Sequence, residues 1–304
     1  MSLVSMLKGK GPSGFGYGST AEEVAATLAL QGKTILLTGC SSGLGFEVMR
    51  VLASRGAHVI GTARTLEKAS AAAAAVQGHV TSLACELSDP ASVRACAQAI
   101  KQKGVRLDAI IGNAGLMALP KLELAHGYEM QFFANHIGHF ILINALLGAL
   151  ADDGRVVMLS SSAHERAPKE AIQFDNLSGE KGYSPFSAYA QSKMANLLFT
   201  KELARRFAGT RKTANAVHPG VINTNLFRHI KIPRFITAIA EALALKNVGQ
   251  GAATECYLAV HPAAAGVSGK YFADCNEAKS RPDANDPALS AKLWDVSEKI
   301  VAQL

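Results

Sequence analysis

Along the chain, apolar runs of five to seven residues alternate with longer stretches in which apolar positions recur every three or four. The first pattern suits a strand buried on both faces and the second an amphipathic helix, so their alternation predicts βαβ units around a parallel sheet. Strands are expected at 34–39, 57–63, 79–85, 107–113, 155–161, 213–219 and 269–273. Helices are expected at 43–55, 65–76, 90–103, 124–150, 187–208, 247–260 and 288–302. Ahead of them, residues 1–30 form an extension in which Thr20 and Glu23 have the spacing of a capping box for one short helix. The alanine run at 71–75 is a good helix former with no repeat period behind it.

Composition narrows the class. With 304 residues, 49% of them hydrophobic and 18% charged, the chain can bury one large core and does not read as disordered. The net charge of +7 is spread along the chain with only 6% aromatic residues, which argues against a nucleic-acid partner. Cys40, Cys85, Cys96, Cys256 and Cys275 are odd in number, scattered and without a CxxC pair, so neither a disulfide framework nor a metal site is expected. No secretory h-region opens the chain, and the longest apolar run, 140–151, is too short to cross a bilayer. A cytoplasmic location is the resulting expectation.

Between the first strand and the first long helix stand Gly39, Ser41, Ser42, Gly43, Leu44 and Gly45. Glycines in that context permit a tight turn and let backbone N–H groups and a helix N-terminus meet a pyrophosphate. The expected fold is therefore α/β: a single Rossmann-type, doubly wound domain over 31–304, with seven parallel strands in the order 3-2-1-4-5-6-7 and helices on both faces. An NAD site usually carries an acidic residue after the second strand. Here the sequence reads GTAR, and Arg64 is available for a 2′-phosphate, which favours NADP(H) over NAD(H) unless Arg64 is merely a solvated loop residue. Farther along, Tyr189 and Lys193 lie four residues apart, hence on one helix face, where a phenol and an ammonium can address one substrate.

TGCSSGLG (38–45), NAG (113–115), YAQSK (189–193) and HPGVINT (218–224) occur in this order and at these intervals in short-chain dehydrogenases/reductases, which the chain resembles over nearly its whole length. ANHIGHF (134–140), SSSAH (160–164), the segment 186–206, VSGKYFADC (267–275) and LWDVSE (293–298) look like the retinol-dehydrogenase-like branch. The opening GPSGFGYGSTAEEV (11–24) is similar to that of the chloroplast inner-envelope translocon-associated members, and a more distant similarity runs to light-dependent protochlorophyllide reductase.

The resemblance implies roles. Tyr189 would protonate a substrate carbonyl while hydride arrives from the nicotinamide. Lys193, together with the positive nicotinamide, would lower the Tyr189 pKa, and it would also bond the nicotinamide ribose. Ser161 would stabilise charge on the carbonyl oxygen, with Ser160 and Ser162 as alternatives. Asn135 would hold a water on the proton path, or else satisfy helix backbone. Asn113, Ala114 and Gly115 would lie under the adenine ribose, Glu86 and Leu87 beside the adenine, and Pro219, Gly220, Val221 and Thr224 along the nicotinamide. Cys40, Gly112 and Glu86 depart from the usual pattern without touching a catalytic assignment. His136, His139 and His164 lack metal-ligand spacing and read as structural or substrate-wall residues.

In this family the stretch near 225–247 lies over the substrate. Its apolar residues imply a hydrophobic carbonyl or alcohol, though a basic amphipathic segment could also touch a membrane surface. The reading is an NADP(H)-dependent oxidoreductase, with an NADP(H)-sensing interaction protein or a light-dependent C=C reductase as alternatives. A homodimer through 124–150 and 187–208 is possible in such a family.

Overall fold

The computed structural model describes residues 8–222 and 246–304. Thr224 and the expected lid up to residue 245 lie outside them. Eight strands form one sheet: β1 (Thr34–Thr38), β2 (His58–Ala63), β3 (His79–Ala84), β4 (Leu107–Gly112), β5 (Leu150–Leu159), β6 (Thr213–His218), β7 (Tyr271–Ala273) and β8 (Asn276–Glu277). Their order across the sheet is 3-2-1-4-5-6-7-8, seven parallel strands as expected and one short antiparallel addition at the edge. The β7–β8 turn runs through Asp274 and Cys275, both with positive φ. That turn carries no glycine signal, so the eighth strand could not be read from the chain.

The two faces of the sheet are filled by alternate residues of the same strands. Leu36, Ile60 and Ile110 point into one core with α4 (Pro90–Gln102), α5 (130–146), α6 (Pro185–Arg206) and α8 (Pro287–Ala302). Ile35, Leu37, Val59 and Ile111 point into the other with α1 (Ala21–Ala25), α2 (Gly43–Ser54), α3 (Leu66–Ala74) and α7 (Val248–Val260). Complete burial of each such side chain contributes roughly 1.5–3 kcal/mol, which is why β1 carries only Ile35, Leu36 and Leu37 between its terminal threonines. The expected capping box forms: Thr20 accepts from the Glu23 amide and the Glu23 carboxylate accepts from the Thr20 amide.

One long element departs from expectation. The helix foreseen at 124–150 starts later, because His126 and Gly127, both at positive φ, fold 124–129 into a small hairpin. Glu129 then caps α5, accepting from the Phe132 amide at 2.8 Å. α5 runs from Met130–Phe132 through a π turn, Phe133–Ile137, into Gly138–Leu146. β5 in turn begins at Leu150 rather than 155, with a register shift opposite Leu107–Ala109 that accommodates the extra residues.

Candidate active site

Every strand from β1 to β6 ends toward the same edge, and the chain reverses direction across the sheet between β1 and β4, where such folds open a crevice. At the end of β1, Gly39 takes φ +73°, and a Cβ there would press on Ala114. Gly45, in the first turn of α2, would drive a Cβ into the Gly39 carbonyl and the Asn113 amide. Ser41 and Ser42 are exposed, and no side chain caps α2 although Ser42 is its N-cap residue. The N–H groups of that first turn are thus free to meet a phosphate. Gly43, also at positive φ, and Leu44 complete the turn. Cys40 is fully buried and burial pushes its thiol up to about 11, so it packs rather than reacts.

The end of β4 is locked to this turn. Asn113 donates to the Thr38 carbonyl at 2.8 Å, and the Ala114 amide donates to the Thr38 hydroxyl at 3.0 Å. Gln131, Asn135 and His139, each fully buried, form a polar stripe at four-residue spacing along α5. Gln131 accepts from the Ala118 amide at 2.6 Å, and Asn135 accepts from the Leu116 amide at 2.7 Å while donating to the Leu116 carbonyl at 2.9 Å. Asn135 also donates to Ser192 at 2.9 Å. His139 Nδ1 meets the Asn135 carbonyl at 2.9 Å, which fixes the proton on that nitrogen and leaves Nε2 to accept from the Thr38 hydroxyl, also at 2.9 Å. Burial and the Lys193 charge hold His139 down at about 4, so it stays neutral. The Asn135 amide thus ties α5 to the Leu116 backbone, in the loop after β4, and to the Ser192 hydroxyl of α6. Only Asn135 of this stripe was picked from the sequence; polar residues every four positions inside an apolar helix were the available signal.

The three serines after β5 have separate fates. Ser160 is buried and donates to the Lys193 carbonyl at 2.8 Å, tying α6 to the sheet. Ser162 is exposed, and its amide meets His218 Nδ1 at 3.2 Å. Ser161 is the one of the three whose hydroxyl acts on the Tyr189 phenol, favouring the phenolate, and that hydroxyl also accepts from the Ala163 amide at 3.1 Å. Its carbonyl is held by His164 at 2.6 Å, whose other nitrogen accepts from the Arg281 amide at 3.3 Å. His164 is thus a structural clamp, as expected. His136, paired with Ser297 at 2.8 Å, is buried away from the site.

Tyr189 is 7% exposed and packs on Met117 and Ala118. The Lys193 ammonium lies 5.6 Å from the centre of its ring and donates to the Leu159 carbonyl at 3.1 Å. A Cβ on Gly115 would sit 3.4 Å from that ammonium, so any larger residue would crowd it. Burial pushes the phenol up to about 12, against the Ser161 hydrogen bond, and pushes the ammonium down to about 8. Within the protein alone desolvation sets the direction; the expected lowering also counts the positive charge of a bound nicotinamide.

Arg64 is exposed at the end of β2, with no acidic residue next to it in sequence and, among the described residues, no ion pair. Glu86 accepts from the Ser88 hydroxyl at 2.9 Å, and Leu87 is buried against Gly138 of α5. Pro219 and Gly220 follow β6; Gly220 has φ +96° and abuts the Lys246 side chain, and Val221 is half exposed. The glycine turn, Asn113 to Gly115, Ser161, Tyr189 and Lys193 come together at the crevice. An uncapped helix N-terminus beside side-chain-free glycines is a cradle that fits a dinucleotide.

Residues 33–233 match the family model for short chain dehydrogenases. The chain is 41% identical over its whole length to all of short-chain dehydrogenase TIC 32 B, chloroplastic, of Brassica napus. It is 39% identical to human retinol dehydrogenase 14, covering 90% of this chain and 88% of that one. A putative uncharacterized protein from Mycobacterium paratuberculosis superposes with a TM-score of 0.75 at 35% identity over 91% of this chain and 97% of that one. A blue fluorescent protein from a metagenomic library, in complex with NADPH, does so with a TM-score of 0.64 at 28% identity over 81% and 97%. The chloroplastic relative overturns the cytoplasmic expectation. All five thiols are indeed free, but free thiols report a reducing surrounding, which more than one compartment provides.

Proposed function

The chain belongs to the short-chain dehydrogenase family, and we propose that within it the protein uses NADP(H) to interconvert an apolar carbonyl compound and its alcohol. The observation that carries this reading is the Ser161–Tyr189–Lys193 group, held beside the uncapped N-terminus of α2 at the crevice. Bound nicotinamide supplies or accepts the hydride. Ser161 orients the substrate oxygen and stabilises charge growing on it. Tyr189 donates its phenolic proton to that oxygen during reduction and takes it back during oxidation. Lys193, anchored through the Leu159 carbonyl, keeps a positive charge next to the phenol as the proton leaves.

Three further features refine the reading. Arg64 supports NADP(H), because an exposed guanidinium at the end of β2 suits a 2′-phosphate. Met117, Ala118 and Leu119, each under 9% exposed, support an apolar substrate. The wall they form is pinned from below by Asn135 and Gln131 and from the side by the Tyr183 hydroxyl, which donates to the Leu119 carbonyl at 2.6 Å. A rigid apolar wall beside the catalytic phenol selects by shape and excludes water.

The deciding experiment is a spectrophotometric screen of apolar aldehydes, ketones and alcohols with NADPH and NADH and their oxidised forms. Turnover with NADP(H) above NAD(H) is expected. Tight nucleotide binding without turnover across the panel would overturn the enzyme reading in favour of a nucleotide-sensing protein.

A further inference from the structure

The loop that leaves β6 comes back to the glycine turn. Ile222, 5% exposed, packs where a Cβ on Gly251 of α7 would meet both it and Leu44, so the loop and the turn share one spot at the crevice. Lys246 runs alongside. It pairs with Ile222 in a single parallel bridge, and its amide donates to the Val221 carbonyl at 3.0 Å. Its aliphatic stem fills the space beside Gly220, where a Cβ would stand 2.6 Å from the Lys246 Cδ. With φ at +96° as well, that position accepts glycine alone.

Lys246 is 2% exposed, and an ammonium taken out of water needs partners. Two are in place. Asp274 accepts from the Lys246 Nζ at 2.6 Å, and the same Nζ lies 4.9 Å from the centre of the Tyr17 ring. Asp274 stands in the β7–β8 turn at φ +54°, a conformation that Asp and Asn tolerate better than most residues. Tyr17 belongs to the strap ahead of α1. Asn276 clamps strap to turn, its side-chain amide donating to the Phe15 carbonyl at 3.0 Å and to the Asp274 carbonyl at 2.7 Å. Strap, turn and buried cation therefore form one cluster, and the backbone it presses on is that of Gly220 and Val221.

We propose that Lys246 is a positioning residue for the nicotinamide: it sets the Pro219–Val221 backbone against which the ring rests, and Asp274 and Tyr17 set Lys246, so that the N-terminal strap governs how the ring is presented to Tyr189. This rests on the dinucleotide-dependent reading above, in which that loop lines the nicotinamide end of the crevice. Lys246 makes and breaks no bond. Its effect is geometric, because a small displacement of the hydride donor relative to the carbonyl costs rate while leaving substrate contacts in place.

The test compares NADPH with 2′-phospho-ADP-ribose, the same nucleotide without its nicotinamide ring, by isothermal titration calorimetry. Lys246→Met keeps most of the stem beside Gly220 and removes the charge. It should weaken NADPH about tenfold and leave 2′-phospho-ADP-ribose unchanged. With substrate, kcat should fall about tenfold and the substrate KM should hold. Lys246→Arg should recover most of both losses. Asp274→Asn keeps the turn and an acceptor oxygen but not the charge, so it should show a smaller loss of the same kind, and it carries the comparison should Lys246→Met not fold. Added to Lys246→Met, it should cost nothing more. Tyr17→Leu should weaken NADPH least, about threefold. Equal losses for the two nucleotides would reduce the cluster to a fold element and overturn the proposal, as would unchanged binding of both. Absence of turnover in wild type would sink the oxidoreductase reading, and the two-nucleotide comparison would still decide the role of Lys246, a loss confined to NADPH supporting it and an equal loss or none refuting it.

Discussion

Around β1 to β3 the crevice is made largely of backbone: Gly39 and Gly45 admit a close approach, α2 presents uncapped N–H groups, and Arg64 stands in solvent. At the ends of β5 and β6 the same edge is made of buried side chains. Tyr189, Lys193 and Asn196 are nearly or wholly removed from water. The first region binds by leaving groups unsatisfied at the surface, where water exchanges freely for phosphate oxygens. The second works by holding titratable groups where small changes in charge matter most, since desolvation shifts their proton affinities strongly. The contrast teaches where each function is vulnerable: binding to steric change, chemistry to loss of a single proton.

Three substitutions test that division. Tyr189→Phe should reduce turnover roughly a thousandfold while nucleotide affinity, followed by fluorescence titration, stays nearly unchanged. Retained turnover would remove the phenol from the chemistry. Gly45→Val should do the reverse. Its side chain meets the Gly39 backbone and Asn113, which cannot give way cheaply, so overpacking of about 1–3 kcal/mol should appear as tenfold to hundredfold weaker nucleotide binding. Wild-type affinity in that variant would show that the turn does not hold the pyrophosphate. Arg64→Ala should have the smallest effect, about tenfold on NADPH affinity and none on NADH, because an exposed charge is screened by solvent. Equal losses for both nucleotides would remove the 2′-phosphate from the account.

Much of the fold was legible because strands buried on both faces leave continuous apolar runs, and seven of the eight were expected within a few residues. What escaped depended on details that periodicity does not encode. The hairpin at 124–129 turns on a His126–Gly127 pair, and β8 follows a turn in which Asp274 and Cys275 adopt positive φ without a glycine. The site shows the same split. Gly39, Ser161, Tyr189 and Lys193 were legible because their chemistry demands particular residue types at particular spacings. Thr38, Gln131 and His139 act only by holding other residues, so their identity means little until the partner is seen. Lys246 was invisible for another reason: a lysine just ahead of a helix reads as a solvated charge, and nothing local says that Asp274 and Tyr17 draw it inward.

The opening segment of the described chain is fastened to its far end. The Ser13 amide donates to the Asn276 side chain, the Asn276 amide donates to the Phe15 carbonyl, Gln250 donates to the Gly18 carbonyl, and the Phe15 ring packs edge-on against Tyr257 and His261. These partners are separated by more than two hundred residues. On a ribosome working from the N-terminus, the strap and α1 emerge long before anything exists for them to grip. The apolar underside of α1, built from Ala21, Val24 and Ala25, packs on α2 and α7, so its cover is incomplete until α7 has left the exit tunnel. Sealing of that face is therefore a late event in biosynthesis, and during the interval before it the nascent protein depends on chaperones or on speed to avoid sticking to its neighbours.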